Sequence, residues 1–71
     1  MKKVIATENA PKAVGPYSQA IEVNGTLYIS GQIPVNPADG QVQTEIAAAA
    51  HQSLKNIGAI LAEAGMTYDN V

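Results

Sequence analysis

The 71-residue chain contains no cysteine, tryptophan, phenylalanine or arginine, and a single histidine, His51. Without cysteine this segment has no disulfide, no thiol nucleophile and no thiolate metal site; that is compatible with a reducing compartment, and a cytoplasmic location is the default expectation. One histidine with neither a cysteine nor a second histidine nearby does not make a ligand set, so no metal is expected. His51 falls at the edge of an apolar helical stripe and reads as a packed or solvent-touching helix residue rather than a metal ligand or general base. Four lysines stand against six acidic residues, for a formal net charge of −2 and a pI near 5.0. Three of them, Lys2, Lys3 and Lys12, lie in the first strand and the loop after it. Nucleic-acid surfaces depend on clustered arginine and lysine that neutralise phosphates, so this balance argues against RNA or DNA binding by these residues. Long apolar runs are missing too. Met1-Lys2-Lys3-Val4-Ile5-Ala6 starts like a secretory signal, but Glu8 and Asn9 interrupt it early, and no other stretch approaches membrane-spanning length. The scattered glycines form neither the dinucleotide fingerprint nor the P-loop spacing, which leaves out the phosphate-cradle enzymes.

What is present is the pattern of one small α+β domain. A chain this short sits near the lower limit at which apolar burial outweighs conformational entropy, so it has room for one domain at most. With disulfides and metals set aside, oligomerisation is the remaining support. Lys2-Lys3-Val4-Ile5-Ala6 is a short β-type run that ends in a loop over residues 7–18, which carries Pro11, Gly15 and Pro16. Gln19-Ala20-Ile21-Glu22-Val23 and Thr26-Leu27-Tyr28-Ile29-Ser30 flank Asn24-Gly25, the pair favoured for a two-residue type I′ turn, and predict a β-hairpin. Residues 31–43 hold Pro34, Pro37 and Asp39-Gly40 and predict a second loop, with room for a short strand at Gln41-Val42-Gln43.

A helix follows, with Thr44 as its expected N-cap and Glu45 in its first turn. Ile46, Ala50, Leu54, Ile57, Leu61 and Ala64 recur at steps of four or three and predict the buried stripe; Glu45, Gln52, Lys55, Asn56 and Glu63 fall opposite. Gly65 stands where a left-handed C-terminal cap belongs, giving a helix of about five turns and about 30 Å. Gly58 costs about 1 kcal/mol relative to alanine and offers a close backbone approach to a sheet. Met66-Thr67-Tyr68-Asp69-Asn70-Val71 reads as a turn leading into another strand. A hairpin and one amphipathic helix leave much apolar face uncovered, so either the chain continues in the natural protein or partner strands complete the layer.

Two loop-anchored clusters could hold a ligand: Gly15-Pro16-Tyr17-Ser18-Gln19 and Ile29-Ser30-Gly31-Gln32. Glycine lets a ligand approach backbone N–H groups, and tyrosine and serine add directional hydrogen bonds, which suits a small polar molecule. The same residues also serve ordinary turns.

Ala10-Pro11-Lys12-Ala13-Val14-Gly15-Pro16-Tyr17-Ser18-Gln19-Ala20, followed by Leu27-Tyr28-Ile29-Ser30-Gly31-Gln32-Ile33-Pro34, resembles the signature of the Rid family, the reactive intermediate deaminases also called YjgF-like proteins. The helix over residues 47–65 and the tail Asp69-Asn70-Val71 are similar as well, so the resemblance covers the whole chain. It implies a chorismate-mutase-like β-sheet of the bacillus type with helices packed on one face, of which residues 1–71 would be the first β-β-α portion, the N-terminal part of a single domain. It implies a homotrimer that hydrolyses 2-imino acids, released by pyridoxal-phosphate enzymes, to 2-keto acids and ammonia without a cofactor. Family sites lie in clefts between subunits, where a tyrosine and a Ser-Gly backbone meet a carboxylate-binding arginine and a water-positioning glutamate. Tyr17 matches as the catalytic tyrosine, and Ser30 and Gly31 as the substrate-binding pair. The arginine and glutamate have no counterpart in these 71 residues, so the segment alone is expected to be inactive. A lysine lacks the planar fork that would replace the arginine. The competing expectation is a module that binds small carboxylates without turnover, since fold does not fix function. A ribonuclease or translation-inhibitor role, a label some family members carry, is disfavoured by the acidic balance.

Overall fold

A computed structural model describes residues 2–13 and 17–71. Its first half turns on Asn24 and Gly25, whose φ values of 50° and 84° are the pair of left-handed conformations that a type I′ turn needs. That turn joins β2 (Ala20–Val23) to β3 (Thr26–Ile29), with Val23 opposite Thr26 and Ala20 opposite Ile29, as the sequence predicts. β1 (Lys2–Ile5) pairs antiparallel along the other side of β2, Ile5 opposite Ala20, so the sheet has three strands in the order β1-β2-β3. No atom lies within 4 Å of where a Cβ on Gly25 would stand. Gly25→Ala therefore carries only the backbone cost of a side chain at positive φ, and is expected to lower stability by about 1–2 kcal/mol in chemical denaturation.

Cross-strand partners share a face, and alternation then sorts the sheet. Ile5, Ala20 and Ile29 stand side by side with Leu27 on the inner face. Across them lies α1 (Ile46–Glu63), and Ile5, Ala20 and a fully buried Ile60 form the core with Ala10 from the first loop. The other face carries Val4, Ile21 and Tyr28 in one row, with Val4 and Tyr28 exposed.

The helix departs from the predicted stripe. In its first half Ile46 is 87% and Leu54 is 55% exposed, and Ala50 is exposed as well, whereas Gln52 and Asn56, assigned to the outer face, are buried. The physical reason lies under the helix. Its C-terminal end rests on the apolar sheet and presents Ile60 and Leu61, but its middle, at Asn56, rests on loop backbone, whose carbonyls require donors. Asn56 Nδ2 donates to the carbonyls of Ile33 (3.1 Å) and Val35 (3.0 Å), and its Oδ1 accepts from Gln52 Nε2 (2.8 Å). A leucine there would leave the Val35 carbonyl and the Gln52 amide unpaired, and Ile33 O with only the Val35 N–H (2.8 Å).

The helix ends also separate the predicted from the observed. The N-cap is Glu45, not Thr44, and its side chain makes no capping bond. Residues 44–47 are exposed, so water can serve the free amides in place of a side-chain cap. The C-terminus follows expectation: Gly65 adopts φ 75°, Gly65 N–H donates to Ala62 O (3.0 Å) and Met66 N–H to Leu61 O (2.8 Å), the two bonds of a Schellman motif. Beyond it, the expected turn is a single 3-10 turn, Tyr68–Asn70. Thr67 Oγ1 accepts from Asp69 N–H, and Asn70 Oδ1 accepts from Thr67 N–H (2.9 Å), so local side chains satisfy amides that a sheet would have used. Gly58 accommodates the ring of Tyr68, whose Cζ would lie 2.9 Å from an added Cβ, rather than a strand. The Tyr68 hydroxyl donates to Leu54 O. The expected strand at residues 41–43 is reduced to one bridge, Val35 to Val42. Among the described residues, no helix is long and apolar enough to cross a membrane.

Candidate functional site

The hairpin register brings the two predicted clusters together. Ala20 and Ile29 close the end of the hairpin remote from its turn, so the residues just before β2 and just after β3 emerge side by side. Ser30 N–H donates to Gln19 O (3.0 Å), extending the ladder by one step. The Ser30 hydroxyl lies 2.9 Å from Ser18 O and 3.0 Å from Gln19 O. Its one hydrogen is thus committed to backbone, and what Ser30 Oγ offers a ligand is lone pairs.

Tyr17, Ser30 and Gly31 line one cavity of about 320 Å³. Tyr17 is 71% exposed. Gly31 has neither a positive φ nor any atom within 4 Å of a would-be Cβ, so neither conformation nor internal packing demands glycine there, and its backbone is open to a ligand. Gly15 and Pro16, which begin the first predicted cluster, lie outside the described residues.

Another part of the lining comes from the first loop, as Pro11, Lys12 and Ala13. Its position is set by Gln19, only 5% exposed. Gln19 Oε1 accepts from Thr7 N–H (2.6 Å), while Nε2 lies within reach of the carbonyls of Thr7 (3.0 Å), Pro11 (2.8 Å) and Ala10 (3.3 Å). Ala10 can therefore sink into the core with its backbone oxygen still bonded. Ile33 completes the cavity and is held from the helix by Asn56.

The sequence reading missed what these two amides do. Gln19, part of the ligand cluster in sequence, lines the cavity and also braces the first loop, and Asn56 lies on the inner face of the helix, opposite to its expected place. A usable signal exists for the second: Gln52 and Asn56 are four residues apart, the spacing at which two amides bond along one helix face. Lys12, which in sequence enters the charge balance and the family-like stretch, is also part of the lining.

Among the described residues lining the cavity there is no carboxylate and no imidazole, and the same residues contain no cluster of three potential metal ligands. His51 is exposed on α1 beside Leu54, Lys55 and Tyr68, away from this cavity. With its proton given to backbone and no base beside it, Ser30 is not poised as a nucleophile. The arrangement can orient a small polar molecule through the Tyr17 hydroxyl, Ser30 Oγ and exposed backbone.

Known proteins share this arrangement of sequence and fold. The chain is 52% identical over 71 residues to a RutC family protein of Pasteurella multocida, covering all of this chain and 55% of that one. It is 49% identical over 71 residues to the 2-iminobutanoate/2-iminopropanoate deaminase of Escherichia coli, covering all of this chain and 56% of that one. The crystal structure of a Rid family protein of unknown function from Yersinia pestis superposes with a TM-score of 0.94 at 56% identity, over 97% of this chain and 56% of that one. The chain thus spans about half the length of the curated relatives it matches. Residues 7–71 match the family described as Endoribonuclease L-PSP, and with the Tyr17 and Ser30-Gly31 motifs on one cavity the chain belongs to that family, the Rid proteins.

Proposed function

We propose that these residues are the N-terminal part of a single Rid-like domain whose full chain hydrolyses 2-imino acids to 2-keto acids and ammonia. The observation that carries this reading is the convergence of Tyr17, Ser30 and Gly31, from two separate loops, on one cavity. The name of the E. coli relative, 2-iminobutanoate/2-iminopropanoate deaminase, supports the substrate class.

The chemistry asks for three things: a held carboxylate, an oriented water and a nitrogen kept protonated. Water adds to the carbon of a C=NH2+ group, the C–N bond breaks, and the nitrogen leaves as ammonium while the carbon becomes a ketone. In this reading Tyr17 hydrogen-bonds near the reacting carbon, the Gly31 backbone N–H holds the carboxylate or the water, and Ser30 Oγ, its hydrogen already given to backbone, accepts from the water. An arginine for the carboxylate and a glutamate for the water come from outside these 71 residues, and no cofactor takes part. The row of Val4, Ile21 and Tyr28, with Val4 and Tyr28 exposed, and the outer edges of β1 and β3 support assembly as a homotrimer in which a second subunit helps to close the cleft. The site belongs to a cytoplasmic protein in this reading.

Tyr17→Phe in the full chain is expected to slow enzyme-catalysed decay of 2-iminobutanoate by about tenfold or more, the scale of one lost transition-state hydrogen bond. An unchanged rate would remove Tyr17 from the mechanism. A second reading, a carboxylate-binding module without turnover, is favoured by the lack of carboxylate and imidazole in the described lining. Ligand-induced thermal stabilisation with imine decay at the spontaneous rate would select it. RNA cleavage is not proposed, because four lysines and no arginine on a chain of net charge −2 supply little phosphate neutralisation.

A further inference from the structure

The lining of the Tyr17 and Ser30 cavity contains one permanently charged side chain among the described residues, and that is Lys12. Glu8 lines the neighbouring depression, which shares Lys12 and Tyr17, but does not line this one. The rest of the lining mixes apolar Pro11, Ala13 and Ile33 with the uncharged polar side chains of Tyr17, Gln19, Ser30 and Gln32. Lys12 is held at this wall by its neighbours: the Gln19 amide bonds the carbonyls of Ala10 and Pro11, so the backbone leading into Lys12 is fixed while its four-carbon stem remains free to reach.

This arrangement separates two kinds of anion recognition. The Ser30-Gly31 end offers lone pairs and backbone, directional partners suited to the reacting end of the substrate. Lys12 offers a point charge without preferred direction, on a different segment of the lining. A substrate with a short apolar side chain makes no use of that charge. A substrate with a second carboxylate would bring it to the first-loop wall, where Lys12 is the one charged side chain among the described lining residues that offsets its desolvation. The cavity volume of about 320 Å³ is sufficient for a five-carbon dicarboxylate.

We propose that Lys12 is a specificity-determining residue that selects 2-imino dicarboxylates over 2-imino acids with apolar side chains. The inference rests on the deaminase reading for its substrate, but it can be tested apart from turnover. Lys12 is exposed, so its contribution is that of a screened charge, a severalfold preference rather than a switch.

The test compares the full chain with Lys12→Ala and Lys12→Glu, using 2-iminoglutarate against 2-iminobutanoate, at low and high ionic strength. The ratio of kcat/KM for the two imines is expected to fall about three- to fivefold in Lys12→Ala, with the change carried by KM. It should fall further in Lys12→Glu, and raising the salt should bring the unsubstituted protein toward the alanine variant. A ratio that is the same in all three proteins overturns the proposal. Binding of the stable products 2-ketoglutarate and 2-ketobutanoate, followed by calorimetry, reads the same ratio without catalysis. Should neither imine be turned over above the spontaneous rate, the deaminase reading fails; the product-binding ratio then still decides Lys12, shifting in the variants if the proposal holds and constant if it does not.

Discussion

Asn56→Ala is expected to destabilise the protein by about 3 kcal/mol, a large share of the stability of a small domain. Asn56 is 1% exposed and its amide is used completely: two donor contacts to loop carbonyls and one acceptor contact from Gln52. Truncation strands the Val35 carbonyl and the Gln52 amide, while the Ile33 carbonyl keeps the Val35 N–H, and each buried polar group so stranded costs about 1–3 kcal/mol. Asn56→Asp keeps the shape and should be at least as damaging, because a carboxylate cannot donate to the two carbonyls and would bring a charge into a buried position. Denaturant titration of the three proteins at one protomer concentration measures both losses. A loss below about 1 kcal/mol for alanine would show that apolar contacts, not this amide, anchor the loop. Because Ile33 lines the Tyr17 cavity, the same substitution is expected to loosen that wall.

The second large effect belongs to Gln19. Gln19→Ala removes the acceptor of the Thr7 amide and the donor shared by three carbonyls, at a site 5% exposed. The expected cost is about 2–3 kcal/mol. Its distribution differs from that of Asn56, since the bonds run within one loop rather than between helix and loop. Residues 7–13 should lose protection against hydrogen exchange and protease before the sheet does, and Ala10, buried in the core with its carbonyl bonded to Gln19, should become accessible. Exchange followed residue by residue separates the two cases; uniform loss over the whole chain would mean that Gln19 supports global stability and not the loop alone.

These two amides also mark where reading the sequence failed. Hydropathy ranked Gln52 and Asn56 as outward-facing and Ile46 and Leu54 as inward-facing, and the structure reverses all four. The ranking presumes that a helix rests on an apolar surface. Here that holds for Ile60 and Leu61 but not about one turn earlier, at Asn56, where backbone carbonyls form the bed and amides are the fitting residues.

Where the outcome depended on local geometry, the sequence was sufficient. Asn24-Gly25 dictated the turn and its register, and Gly65 dictated the helix end, because positive φ is a property of the residue and its immediate neighbours. The motifs around Tyr17 and Ser30-Gly31 were legible as ligand-holding chemistry and as a family resemblance. Tertiary structure alone decided that they share one cavity, that the Ser30 proton is committed to backbone, and that Lys12 enters the lining while His51 stays outside. Each of these is a relation between segments distant in the chain, set by strand pairing and by the carbonyls that buried amides must satisfy.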